Sequence, residues 1–141
     1  MGKMREILFR GRDSEGIWHE GIPVHDDDTW YLPNDFGSPK AYSINPDTLC
    51  EYTGLTNDVG VRIFENDIIE ITTLDKHEKR RAVVRFGEYD CDGIDSHIGW
   101  YLEYKGYKYP FGELKEIIAN GVYASVIGNV YDNPELMEEE K

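Results

Sequence analysis

The sequence predicts a mainly β protein: a small barrel or roll preceded by an N-terminal β meander, with one or two short helices. Three observations carry this expectation. Ten tyrosines and three tryptophans enrich the chain in side chains that favour a pleated, half-buried surface. Short runs of branched and aromatic residues alternate with turns rich in Gly, Pro, Asn and Asp. Helical spacing is confined to brief stretches, which argues against a parallel sheet interleaved with helices.

The elements follow in order. Met4-Arg5-Glu6 reads as the start, with Met1 to Lys3 an extension. "EILFRG" (6–11) and "IWHEGIPV" (17–24) flank Asp13-Ser14-Glu15-Gly16 and read as a hairpin. "HDDDTWYLPNDFGSP" (25–39) is polar and broken by Pro33, Gly37 and Pro39. It reads as the longest irregular segment, with Thr29 to Leu32 available as a short strand. "KAYSI" (40–44) and "TLCEYT" (48–53) are short strands on either side of Asn45-Pro46-Asp47. Together these make a meander over residues 4–50.

A second module is expected over residues 52–132. Asn57-Asp58-Val59-Gly60 suits a type I turn followed by a glycine at positive φ. In "RIFEND" (62–67), Ile63 and Phe64 have opposite strand parity, so burying both requires a kink at Glu65-Asn66-Asp67. Asn and Asp suit such kinks, because their side chains bond nearby backbone N–H groups and tolerate left-handed geometry. "DIIEITTL" (67–74) and "RRAVVRFG" (80–87) are strands joined by "DKHEKR", and "GEYDCDGIDSHIG" (87–99) reads as a loop. "WYLEYKGYKY" (100–109) alternates, with a break at Gly106. Phe111, Leu114, Ile117 and Ile118 recur at helical spacing with Gly121 just beyond, which predicts a short helix near 111–120. "VYASVIGNVYD" (122–132) alternates again, and its Gly128 suggests a bend or bulge. Asn133-Pro134-Glu135 starts a short acidic C-terminal helix or tail over 133–141. Glu138-Glu139-Glu140 frays it, being negative at the wrong end of the dipole.

Composition bounds the function. A chain of 141 residues buries roughly 68–70% of its unfolded surface, so it needs neither disulfide nor metal to fold. The net charge of −13, from 28 acids against 15 bases, repels phosphate backbones and anionic membranes. Neither nucleic acid nor a membrane is therefore expected as a partner. No apolar run reaches spanning length and no apolar signal core opens the chain. Cys50 and Cys91 read as free thiols in a reducing cytosol.

Each candidate site has a plain structural alternative. The acids and glycines of 52–71 lack a neighbouring histidine or titratable partner, so Gly54, Asp58, Gly60, Asn66 and Asp67 are read as structural turn residues. "EYDCDGIDSHIG" places Gly93 at position six of a calcium loop, but position twelve is Gly99 where a bidentate glutamate is needed. "HDDD" (25–28) offers adjacent ligands, which rarely converge on one metal, with His19 and His97 as distant additions; it reads as a surface loop, and "DKHEKRR" (75–81) reads as a solvated hairpin tip. In "WYLEYKGYKYPF", Trp100, Leu102 and Tyr104 belong to a core face. Tyr101 and Tyr107 are the candidate partner-binding residues. No catalytic residue, metal ligand or cofactor site is expected.

Three stretches also carry a resemblance. "MREILFRG", "YTGLTNDVGVRIFENDII" and "VIGNVYDNPELME" are similar to motifs of the YopX-like family of phage and prophage proteins, in the same order. The resemblance implies an SH3-like β-barrel for residues 52–132 and a bacterial host cytoplasm. It carries over no catalytic residue. Where family members often have Gly-Asp-Ile, this chain has Asn66-Asp67-Ile68, and asparagine is the next most permissive residue for positive φ. The segment 87–99 has no counterpart in the family pattern. The resulting expectation is a non-enzymatic interaction or assembly module forming a homo-oligomer. The alternative is an acidic decoy for a basic nucleic-acid-binding host protein, and an enzyme comes last.

Overall fold

The computed structural model describes residues 6–33, 41–72, 79–90, 96–110, 112, 114 and 123–137. The protein is mainly β, with antiparallel pairing throughout these residues. Its contacts divide it into two units, Met1–Gly54 and Leu55–Lys141.

The first unit holds strands β1 (Phe9–Arg12), β2 (Trp18–Gly21), β3 (Val24–Asp26) and β4 (Thr29–Pro33), with most of β5 (Ala41–Thr56), in the order β2-β1-β5-β4-β3. The segment expected to be irregular, 25–39, is a hairpin in its first part. Val24 pairs with Tyr31 and Asp26 with Thr29. Asp27 and Asp28 form the turn, with φ of 51° and 62°. Two consecutive left-handed residues match the twist of a two-residue hairpin, and aspartate tolerates that geometry. The acids that suggested a polar loop are thus the turn itself. Residues 34–40 lie outside the described residues.

The two short strands expected at 40–44 and 48–53 are one strand, β5, which bulges. Arg10 of β1 pairs with Cys50 while Arg12 pairs with Asn45. Thr48 holds the excursion: its Oγ1 donates to the Asn45 carbonyl at 2.7 Å and accepts from the Arg12 N–H at 2.9 Å. Leu32, Ile44, Cys50 and Tyr52 are the buried apolar residues of this unit. Gly11 is buried beside them, and a Cβ there would collide with Ile44 Cγ2. Cys50 is a buried thiol whose Sγ donates to the Thr48 carbonyl at 3.2 Å, and Cys91 lies outside the described residues.

The second unit opens with the end of β5 hairpinned onto β6 (Arg62–Phe64). It continues as β7 (Asp67–Thr72), β8 (Lys79–Tyr89), β9 (His97–Tyr104), β10 (Tyr107–Pro110) and β11 (Tyr123–Asn129), with sheet order β10-β9-β8-β7-β11. Among the described residues this order is open: β10 and β11 are its ends, and no pairing closes it into a barrel. Ile63, Ile69, Ala82, Val84, Leu102, Leu114 and Ala124 form the core cluster. Each large member contributes about 1.5–3 kcal/mol by leaving water. Ile68 and its partner Val83 are buried on the opposite parity. A strand buried on both faces has adjacent apolar residues, as Ile68-Ile69 are.

The segment 87–99 is shorter as a loop than expected. Glu88 pairs with Ile98 and Tyr89 with His97, so both flanks are strand, and residues 91–95 lie outside the described residues. Of the helix expected near 111–120, Gly112 and Leu114 are helical, and the remainder lies outside them. A 3-10 helix spans Pro134–Met137, while 138–141 again lie outside. The bulge expected at Gly128 is present: Val126 pairs with Ile69 and Gly128 with Ile68, leaving one extra residue on β11. Among the described residues no helix is long and apolar enough to cross a membrane.

Candidate functional site

The stretch 52–71 is the densest in polar motif residues, and its geometry is that of a structural joint. Ile63 and Phe64 are both buried, which the chain accommodates by turning at Glu65-Asn66. Asn66 sits at φ 69°. Its N–H donates to the Val84 carbonyl at 2.7 Å, and its own carbonyl accepts from Val130 at 3.0 Å. Its side chain completes the joint: Oδ1 accepts from Arg85 Nη1 at 2.7 Å and Nδ2 donates to the Tyr131 hydroxyl at 3.0 Å. Arg85 also approaches Glu103, at 3.4 Å. Asp67 is buried, and its Oδ2 accepts the Phe64 N–H at 2.8 Å. Its strand partner Asn129 performs the matching task on β11, with Oδ1 accepting from the N–H groups of Tyr131 and Asp132 at 3.0 and 2.9 Å.

Gly54 and Gly60 take φ of 88° and 87°. Asp58 is exposed, and the side chain that organises its turn belongs to the preceding residue. Asn57 is buried; its Oδ1 accepts from Val59 and Val61, and its Nδ2 donates to the Ala124 carbonyl at 3.1 Å. The same turn occurs in the first unit. Asp13 Oδ1 accepts from Glu15 and Ile17, as Asn57 does from Val59 and Val61. Backbone bonds Asp13 N–H to Ile17 O and Gly16 N–H to Asp13 O repeat as Asn57 to Val61 and Gly60 to Asn57. The shared pattern is Asp or Asn, two residues, Gly, then an aliphatic. It is short enough to read in the sequence once the spacing is known.

Asp13 differs from Asn57 in one respect. Its Oδ2 lies 2.7 Å from His19 Nε2. That hydrogen bond, followed by the one from the Ile17 N–H, holds the carboxyl below its ordinary value, against the opposing effect of burial. Among the described residues, no three His, Cys, Asp or Glu side chains gather as they would around a metal. His25 instead stacks on Trp30 across the β3–β4 hairpin, with ring centroids 4.7 Å apart. In "DKHEKRR", Lys79 to Arg81 are residues of β8, and 75–78 lie outside the described residues.

The aromatic candidates occupy both faces of the β8–β9–β10 sheet. Register puts Tyr107 opposite Tyr104 and Tyr101 opposite Arg85 and Pro110, so Tyr101 and Tyr107 lie on opposite faces. Tyr101 is half-buried, its ring 5.5 Å from Tyr89, 5.2 Å from the Lys108 ammonium, and leaning over Gly87. Such a ring covers bare glycine backbone. Tyr107 is 67% exposed and shares its face with Tyr109 and with Trp100, Phe86 and Ile98; Phe86 is 51% and Ile98 79% exposed. This is the face that carries the core, continued past the end of it. Phe86 packs edge-on against Trp100 at 5.1 Å, and the row then runs out into solvent at Ile98.

The chain matches the family model described as YopX protein over residues 13–138. It belongs to the YopX family. No curated protein matches it. Within this YopX-family chain, two of the three resembling stretches fall inside the match, and "MREILFRG" precedes it. The two that match are joined by the Asn66–Tyr131 bond.

Proposed function

We propose that this YopX-family protein is a non-enzymatic interaction and assembly module of a phage or prophage, acting in the cytoplasm of the bacterial host and forming a homo-oligomer. The exposed aromatic row on the core-side face of β8–β10 carries the reading. Phe86, Ile98, Tyr107 and Tyr109 present apolar surface to solvent on paired strands, and tyrosine and aromatic enrichment is the compositional mark of protein-binding surfaces. The acids of the densest motif support it from the other side, because Asp67 is committed to backbone. The reading also takes the β10-β9-β8-β7-β11 sheet as the core of an SH3-like barrel, a scaffold that presents such a surface.

The test uses the full chain as bait in host lysate, with Ile98→Asp and Tyr107→Asp compared against a charge variant in the first unit, Glu20→Lys. Loss of capture in the first two alone supports the reading. Equal capture by all variants would sink it. The net charge of −13 favours a second reading, a decoy for a basic nucleic-acid-binding host protein. That reading requires the captured protein to be released by duplex DNA and by salt.

A further inference from the structure

We propose that the exposed end of this aromatic face takes an arginine side chain from a basic segment of a protein partner. The inference rests on the interaction reading above and names the partner's chemistry.

Three observations carry it. The first is where the core stops covering the face. Trp100 packs against the core cluster, and beyond it Phe86 and Ile98 stand open to solvent. Register sets Phe86 opposite Trp100 and Glu88 opposite Ile98, so an exposed carboxylate shares this end with an exposed ring. Ser96 Oγ donates to Glu88 Oε1 at 3.2 Å, and among the described residues Oε2 has no partner. A guanidinium uses both groups at once: its planar face lies on an aromatic ring and its N–H fork meets a carboxylate. Ile98 offers apolar surface to its methylene stem.

The second observation is the local charge. The chain from Glu88 to His97 carries Glu88, Asp90, Asp92 and Asp95 and no lysine or arginine. The nearby bases Arg85 and Lys108 belong to the opposite face of the sheet, with Tyr101. Arg85 is bound to Asn66 and Glu103. Lys108 lies over the Tyr101 ring and reaches only the main-chain oxygen of Glu88, at 3.4 Å. Arg80 and Lys105 sit over Tyr104, six strand positions from Ile98, or about 20 Å at roughly 3.4 Å each. That is more than twice the screening length of about 8 Å at physiological salt. A cation approaching this end therefore meets net negative charge, and the −13 of the whole chain speeds its approach.

The third observation is how the chain treats its other rings. Arg10 and Arg12 lie over Trp18, Arg80 and Lys105 over Tyr104, and Lys108 over Tyr101. Phe86 has Trp100 against it at 5.1 Å and, among the described residues, no cation of this chain. A ring beside an exposed carboxylate, with no base of its own, suits a base supplied by a partner.

The experiment is fluorescence anisotropy of the full chain with a labelled peptide of alternating Arg and Gly, at physiological ionic strength. Peptides with Lys or with Glu in place of Arg are the controls. The arginine peptide should bind more tightly than the lysine peptide, and the glutamate peptide should not bind. Glu88→Lys should weaken the arginine peptide about tenfold. Glu20→Lys changes the net charge equally but lies in the first unit, and should weaken it by about twofold at most. Phe86→Leu keeps the apolar bulk and removes the ring, and should bring the arginine and lysine peptides within about twofold of each other. A merely destabilised fold would not change that preference. Absence of binding by the arginine peptide overturns the inference. Equal weakening by Glu88→Lys and Glu20→Lys also overturns it, as does an arginine preference that survives Phe86→Leu. If Tyr107→Asp abolishes lysate capture while the arginine peptide does not bind, this inference fails and the interaction reading stands. If neither is seen, both fail.

Discussion

Asn57 and Ala124 are 67 positions apart in sequence and joined by one side-chain hydrogen bond, Nδ2 to carbonyl oxygen, at 3.1 Å. The same amide closes its own turn through Oδ1. One buried side chain therefore fixes a local hairpin and ties it to β11. Asn57→Asp keeps the turn acceptor and replaces the distant donor with a second acceptor facing a carbonyl. It should cost about 1–3 kcal/mol, the penalty for leaving a buried polar group unsatisfied. Asn57→Ser should cost less than Asp, because its hydroxyl serves the turn without opposing the carbonyl. Urea denaturation of the two variants decides the order.

Asn66 separates backbone need from side-chain need. Asn66→Gly removes the cost of φ 69° while losing the bonds to Arg85 and Tyr131; Asn66→Ala loses both bonds and keeps the strain. A left-handed residue with a Cβ costs roughly 1–2 kcal/mol. The stability order should be wild type, then Gly, then Ala. Equal midpoints for Gly and Ala would show that the conformation contributes nothing.

Gly128 is required by one neighbour. A Cβ there would collide with the Asn133 side chain, whose Oδ1 accepts the Asn129 N–H at 3.3 Å. Gly128→Ala should be destabilising by about 1–3 kcal/mol, the usual range for overpacking. In the double variant with Asn133→Ala the two costs should be sub-additive, because the clash has been removed. Strict additivity in thermal melts would place the strain elsewhere.

Asp13 should give the first unit an acid-sensitive contribution that Asn57 cannot give the second. Its carboxyl is held below its ordinary value of 3.8, chiefly by His19. A group whose folded value is depressed stabilises the fold above its unfolded value, and that contribution is lost as pH falls through the folded one. Asp13→Asn retains an Oδ1 for the turn, as Asn57 demonstrates, and removes the titration. The stability gap between wild type and variant should be constant near neutrality and shrink below about pH 4. A gap that widens on acidification would contradict the assignment.

The fold class and the hairpin at 52–71 were legible because their causes are local. Strand alternation, a glycine four residues into a turn, and opposite parities at Ile63 and Phe64 can all be read from neighbours. The errors were local too. Asp27-Asp28 looked like a polar loop because a turn made of two left-handed acids has no apolar content to mark it. Asp58 does lie in its turn, but only burial tells which member of an Asn-Asp pair turns inward, and that member is Asn57. Of the Asn66 joint only the local kink was legible. Its partners Arg85 and Tyr131 lie 19 and 65 residues away, and no spacing rule connects them. The aromatic face was half visible. Alternation assigned Trp100, Leu102 and Tyr104 to one side and Tyr101 to the other, yet only the hairpin register puts Tyr107 on the side of the first three.

The twin turns have a consequence in time. Each closes a loop of three residues, and loops this short form on the sub-microsecond to microsecond scale, long before a contact spanning 67 positions such as Asn57 to Ala124 repays its closure entropy. Asn57 therefore takes part in two events widely separated along the folding reaction. Substituting Gly60, which acts on the turn alone, should lower the refolding limb of a chevron plot. Removing the Nδ2 donor should leave that limb nearly unchanged and raise the unfolding limb. A single side chain would then report both the nucleation of its unit and the last strand to dock on it.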